Sequence, residues 1–189
     1  MVYVGFSTPR RWNPLSALIR AVMRSRTSHA WLLVEDPLFQ LRLVLEAHAT
    51  GFRLVSFATF VRDNRVVAIA APASDLAPGL PEAGGWLGDA FDVLGLFGIF
   101  LTLVASWFRR RAWRNPFTSS RALFCSEAVV RVMKAARYPG AQRLGNETTT
   151  PQALLDFFKA EQGSQVIAGE ELALWSHLRA SGARQARRR

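Results

Sequence analysis

The chain carries one cysteine, Cys125, and three histidines, His29, His48 and His177. A lone thiol in a chain with histidines elsewhere raises the question of a cysteine nucleophile activated by an imidazole. Counting from Cys125, Ala128, Val129, Val132, Met133 and Ala136 fall at offsets of one helical face. The spacing therefore predicts a helix over Phe124 to Ala136 with Cys125 at its start, on the inward side. A free thiol is only a few per cent thiolate at neutral pH; a helix N-terminus and a nearby imidazolium both favour the thiolate. The same helical turn offers backbone N–H groups to an oxyanion. Two observations pull the other way. Cysteine is also a small core residue, and Glu127 puts a carboxylate where a thiolate would be disfavoured.

His29 lies in Ser28-His-Ala-Trp-Leu-Leu-Val34, a segment apolar on both faces and so a central strand. By alternation His29 shares a face with Trp31 and Leu33, while Ala30, Leu32 and Val34 take the other. It is either a base or a satisfied core histidine. Glu46 is embedded in Leu41-Arg-Leu-Val-Leu-Glu-Ala47 and shares a strand face with Val44 and His48. A buried carboxylate requires a partner. If this strand pairs with the His29 strand, Glu46 or His48 would orient the imidazole and complete a base-and-orienter arrangement; the alternative is an ion pair between Glu46 and one of the many arginines. His177 has no evident companions. No metal-ligand spacing, phosphate-binding glycine loop or dinucleotide fingerprint is present, so no cofactor is expected.

The elements that must position these residues follow from periodicity and breakers. Strands are expected at Tyr3–Ser7, Ser28–Val34, Arg42–His48, Phe52–Val55 and Val66–Ala70, with a turn at Thr50-Gly51. Pro14 opens a helix through Leu15, Leu18, Ile19, Val22 and Met23. Ser56–Arg62 is a helical turn. Pro72–Gly85, rich in proline and glycine, reads as a loop. Thr150 caps a helix over Gln152–Ala160, and Glu170–Leu178 is a further helical stretch. Strands early and helices late indicate an α+β domain, one domain over residues 1–180 with a basic, disordered tail at 181–189.

These pieces together resemble a family. A basic amphipathic helix, a Ser28-His29-Ala30 strand, a strand ending in Glu46-Ala47 and a late Cys125-Ser126-Glu127 helix start are similar to the permuted NlpC/P60 group of papain-like proteins, the YiiX/YaeF-like amidases. In that group the histidine precedes the cysteine, as here. Phe91-Asp92 falls where the group has a Tyr-Asp pair, and Thr150-Pro151 resembles its late helix start. The resemblance implies a circularly permuted papain-like fold: an antiparallel sheet of five or six strands with the cysteine helix packed against it. It implies Cys125 as nucleophile, His29 as general base and Glu46 as the third polar residue. The expected chemistry is hydrolysis or acyl transfer at an amide or ester bond through a thioester. Related permuted proteins include lipid acyltransferases, which makes an acyl-chain substrate credible alongside a peptide-like one. Phe91 departs from the pattern in lacking the tyrosine hydroxyl.

The chain has 189 residues and a formal net charge of +10, with 24 basic against 14 acidic residues. The excess is arginine, clustered at Arg10, Arg11, Arg20, Arg24 and Arg26, again at Arg109, Arg110, Arg111, Arg114 and Arg121, and in the tail. Such fields attract anionic partners, or serve solubility. Val93 to Phe108 is uncharged over 16 residues, about 24 Å of helix, which falls short of a ~30 Å hydrocarbon core. It reads as a core helix or a segment dipping into an interface. A single cysteine and an apolar start too short for a signal peptide point to the cytoplasm, with peripheral contact at an anionic membrane. The rival readings are a non-catalytic membrane-surface or anionic-ligand-binding protein and, more weakly, a nucleic-acid binder, since Trp107 and Trp113 flank one basic block.

Overall fold

The computed structural model describes residues 1–22, 25–37, 40–48, 51–88, 125–146, 148–169 and 171–172. The apolar segment beyond Gly88, the basic block 109–121, Phe91-Asp92, His177, most of the 170–178 stretch and the tail lie outside them.

The chain is α+β, and its organising layer is a six-stranded sheet in which every pairing is antiparallel. The strands are β1 (Val2–Pro9), β2 (His29–Asp36), β3 (Leu41–His48), β4 (Gly51–Ser56), β5 (Asn64–Ala71) and β6 (Gln165–Ala168), in the order β4-β3-β2-β1-β5-β6. Helices α1 (Pro14–Val22), α2 (Phe57–Asp63), α3 (Leu80–Gly84), α4 (Cys125–Ala135) and α5 (Pro151–Ala160) complete it.

Both faces of the sheet are covered, which is why β1 and β2 read as nearly continuous apolar runs. Successive side chains alternate between two cores. Val4, Phe6, Ala30, Leu32, Leu45, Ala47, Ala68 and Ala70 point into the larger, which α4 fills with Ala128, Val129, Val132 and Met133 and α5 with Leu154, Leu155 and Phe158. Tyr3, Trp31, Leu33, Val44 and Ile69 point into the smaller, closed by Phe60 of α2. The Cys125 helix therefore lies against the sheet, over β2 and β3. Gly79, in the 3-10 turn Ala77–Gly79, lets that turn reach α4: a Cβ there would stand 2.1 Å from the carbonyl oxygen of Val132.

Most expected elements are present. Thr150 caps α5, its hydroxyl accepting the Ala153 N–H at 3.1 Å, with Pro151 in the first turn. One expectation is corrected. Pro72–Gly85 is not all loop: it contains the 3-10 turn and α3, because proline is compatible with a helix's first turn, where its missing N–H has no partner to lose. Trp86 to Gly88 form turns, and the Gly88 N–H bonds the Phe52 carbonyl at 3.0 Å.

Candidate active site

The site is assembled where β2 begins. Entry into β2 is pinned by polar contacts to β1: the Ser28 N–H and the Thr27 hydroxyl both donate to the Ser7 carbonyl, at 3.1 and 2.9 Å. Ser7 sits at a register shift in β1, and its hydroxyl accepts the Trp31 indole N–H at 3.1 Å. These bonds fix the backbone on either side of His29. The imidazole itself is stacked on Phe60 of α2, with ring centroids 6.4 Å apart and planes at 29°.

Three strands then carry a line of charged groups. Arg53 of β4 stands directly opposite Glu46 of β3. Its Nε and Nη2 donate to one carboxylate oxygen of Glu46, at 2.9 and 2.6 Å. The other oxygen of Glu46 meets His29 Nε2 at 2.8 Å. Glu46 is only 2% exposed, so both carboxylate oxygens are used and its burial is compensated on each side. With Nε2 held by Glu46, Nδ1 is the ring nitrogen left for the thiol, and the His29 side chain is hydrogen-bonded to Cys125.

Cys125 is the first residue of α4, where unpaired backbone N–H groups give the helix end a partial positive charge. The backbone N–H groups of Ala30 and Ser126 act on its sulfur in the direction that favours the thiolate. The start of α4 is anchored by the Ser126 hydroxyl, which donates to the Thr149 carbonyl at 2.6 Å. Glu127, the carboxylate that counted against a thiolate, is buried and meets Arg131 one helical turn later at 2.6 Å. Its charge is thus offset within the helix.

The electrostatics follow from this geometry. Burial alone would push the Cys125 thiol up, but the hydrogen bond and charge of His29, with the Ala30 and Ser126 N–H groups, hold it below its ordinary value. Burial likewise would lower His29, yet the bonds and charges of Cys125 and Glu46 override it and raise the imidazole to about 10. Glu46, which burial would raise, is held down by His29 and Arg53. The directions of these shifts favour an alternating row of thiolate, imidazolium, carboxylate and guanidinium, in which the buried carboxylate of Glu46 has a positive partner on each side.

The three residues singled out in the sequence, Cys125, His29 and Glu46, are brought together. Both contacts considered for Glu46, one with His29 and one with an arginine, are present, because a carboxylate has two oxygens. His48 stands at the far end of β3 opposite Gly51, and burial first, then Arg53, lowers its pKa; the bond to His29 Nε2 is made by Glu46. Sequence reasoning missed Arg53 and the Ala30 N–H. A signal for Arg53 existed: counting outward from the His48–Gly51 pair places Glu46 across from Arg53. Among the described residues no cluster of three or more His, Cys, Asp or Glu side chains could hold a metal ion. What the arrangement can do is store a nucleophilic thiolate beside a protonated imidazole whose orientation is fixed from behind. No protein-family model matches this chain, and no curated protein matches it.

Proposed function

We propose that the protein is a cysteine-dependent hydrolase or acyltransferase acting on an amide or ester bond, built on a circularly permuted papain-like fold. The observation that carries the reading is the hydrogen-bonded series Cys125–His29–Glu46, with the thiol at a helix start and the imidazole on a central strand. The fold reading is supported by the histidine strand preceding the cysteine helix in an antiparallel sheet against which that helix packs.

The steps follow from the charges in place. The Cys125 thiolate, its proton already on His29, attacks the carbonyl carbon of the substrate and forms a tetrahedral oxyanion. Collapse breaks the bond to the amine or alcohol, which takes the proton from the His29 imidazolium, and leaves a thioester on Cys125. Neutral His29 then removes a proton from water, giving hydrolysis, or from an acceptor amine or alcohol, giving acyl transfer. The attack breaks the thioester, the sulfur leaves as thiolate, and the proton taken up stays on His29, restoring the starting pair. Glu46 holds Nε2–H throughout and stabilises the imidazolium.

Turnover of chromogenic acyl esters and anilides of short and long chain length tests the reading. Glu46→Gln keeps a polar partner for Arg53 and should preserve the fold while lowering kcat on the order of 100-fold. Full turnover in Glu46→Gln with loss in His48→Ala would move the orienting role to His48.

A second observation bears on where the chemistry takes place. Trp12 is 82% exposed between the exposed Arg10 and Arg11 and the start of α1, whose Arg20 is also exposed. The Ser16 hydroxyl of α1 lies 2.7 Å from that of Ser28, next to His29. Among the described residues no helix is long and apolar enough to cross a membrane. An exposed indole directly after two exposed arginines suits a headgroup layer, each basic residue near an anionic surface contributing on the order of 1 kcal/mol. The protein should therefore co-sediment with vesicles containing acidic phospholipid, less with neutral ones, and less again at high salt or as Trp12→Ala. Equal recovery in the supernatant with both vesicle types would remove the membrane from the account.

A further inference from the structure

We propose that Arg53 is a positioning residue of the site: it keeps Glu46 ionised and fixed against His29 Nε2, and so keeps Nδ1, the ring nitrogen that faces the thiol, as the basic one. This rests on the catalytic reading above and assigns a fourth member to its machinery.

The geometry is specific. Arg53 is the residue directly opposite Glu46 in the β3–β4 ladder, so its backbone is held in place by strand pairing. Two nitrogens of one guanidinium converge on one carboxylate oxygen, at 2.9 and 2.6 Å, leaving the second oxygen for His29 at 2.8 Å. Glu46 is 2% exposed, so solvent does little to keep it charged. Its other charged neighbour is His29, whose own protonation depends on it. Without Arg53 the carboxyl group would tend to bind a proton, and a protonated carboxyl can donate to Nε2. The ring proton would then move to Nδ1, leaving the base facing away from Cys125. Arg53 removes that alternative by making the protonated form of Glu46 unfavourable. A lysine would supply the charge but not the planar fork that fixes the carboxylate plane.

Among the described residues, titratable groups coupled to this row include His48 of β3, whose protonation Arg53 opposes, and Asp63 at the end of α2, which acts on His48. His48→Gln therefore serves as the background in which Arg53 variants are compared, so that a titrating His48 does not contribute to the profile.

The test is the pH dependence of Cys125 alkylation by iodoacetamide in the full-length protein, for wild type, Arg53→Lys and Arg53→Met, each with and without His48→Gln. Arg53→Met should move the acid limb of the profile upward by about one pH unit or more, lowering the rate near pH 6 about tenfold, since each unit is a tenfold change in thiolate fraction. Arg53→Lys should recover part of that shift. A residue that merely packs or stabilises would lower the melting temperature and leave the limb in place. An unmoved acid limb in folded Arg53→Met, or in Arg53→Lys if the methionine variant does not fold, overturns the proposal while leaving the thiolate–imidazolium reading intact. A wild-type limb at the position of a free thiol overturns both.

Discussion

Replacing His29 with alanine should cut the alkylation rate of Cys125 at pH 6 by roughly 100-fold or more. The sign follows from what acts on the sulfur. Burial pushes the thiol up, and His29 is the chief group pulling it down, by hydrogen bond and by charge. With the imidazole gone, burial remains, offset only by the N–H groups of Ala30 and Ser126 and the start of α4. The thiol then titrates near or above an ordinary cysteine. A thiol of pKa ~8.5 is about 0.3% ionised at pH 6, whereas the wild-type sulfur is held below its ordinary value beside an imidazole raised to about 10. The wild-type rate should be nearly level from pH 6 to 8. The variant should climb about tenfold per pH unit and approach wild type only at high pH. Parallel profiles, with both proteins climbing like a free thiol, would mean that His29 is a core histidine and Cys125 a structural thiol.

Gly5→Ala should lower the melting temperature by roughly 6–12 °C. Gly5 pairs across the sheet with Trp31, and a Cβ at Gly5 would lie 2.2 to 2.4 Å from three atoms of the indole. The ring has nowhere to move. It is fully buried, its N–H is held by Ser7 at 3.1 Å, and Phe60 and Phe57 pack on it with centroids 4.6 and 6.0 Å away. Overpacking of a core usually costs about 1–3 kcal/mol; with these atoms this close the upper end applies. For a chain of this size each kcal/mol shifts the transition by about 2–4 °C. Phe60 also stacks on His29, so a displaced Trp31 should disturb the site as well as the fold. A transition within 2 °C of wild type would show that the indole can be rehoused and that this contact is not a constraint on the site.

The central strands were legible because their residues obey period two while being apolar on both faces, as in Ala30 to Val34. The helix carrying Cys125 was legible because its apolar residues follow one helical stripe. β6 was not: Gln165–Ala168 is a four-residue edge strand with little buried surface, and four residues carry too little pattern to separate a strand from a loop. α3 was hidden because Pro78, Pro81 and the nearby glycines read as loop punctuation, although proline is compatible with the start of a helix. Within the site, Cys125, His29 and Glu46 could be named from residue type and position. Arg53 could be told from the many other arginines only by counting the β3–β4 register outward from His48 and Gly51. The neutralisation of Glu127 depends on Arg131 one turn away, a spacing visible in the sequence, whereas the burial of Glu127 is not.

The central claim is that Cys125 carries an acyl group during turnover. It is tested most directly by mixing the protein with an activated acyl ester at neutral pH, quenching in acid, and measuring the intact mass followed by peptide mapping. The account predicts a gain of one acyl group, located on the peptide containing Cys125, lost on treatment with neutral hydroxylamine as a thioester should be. The adduct should be absent in Cys125→Ala and strongly reduced in His29→Ala. Chromogenic turnover without an adduct on Cys125, or the same turnover in Cys125→Ala, would contradict it.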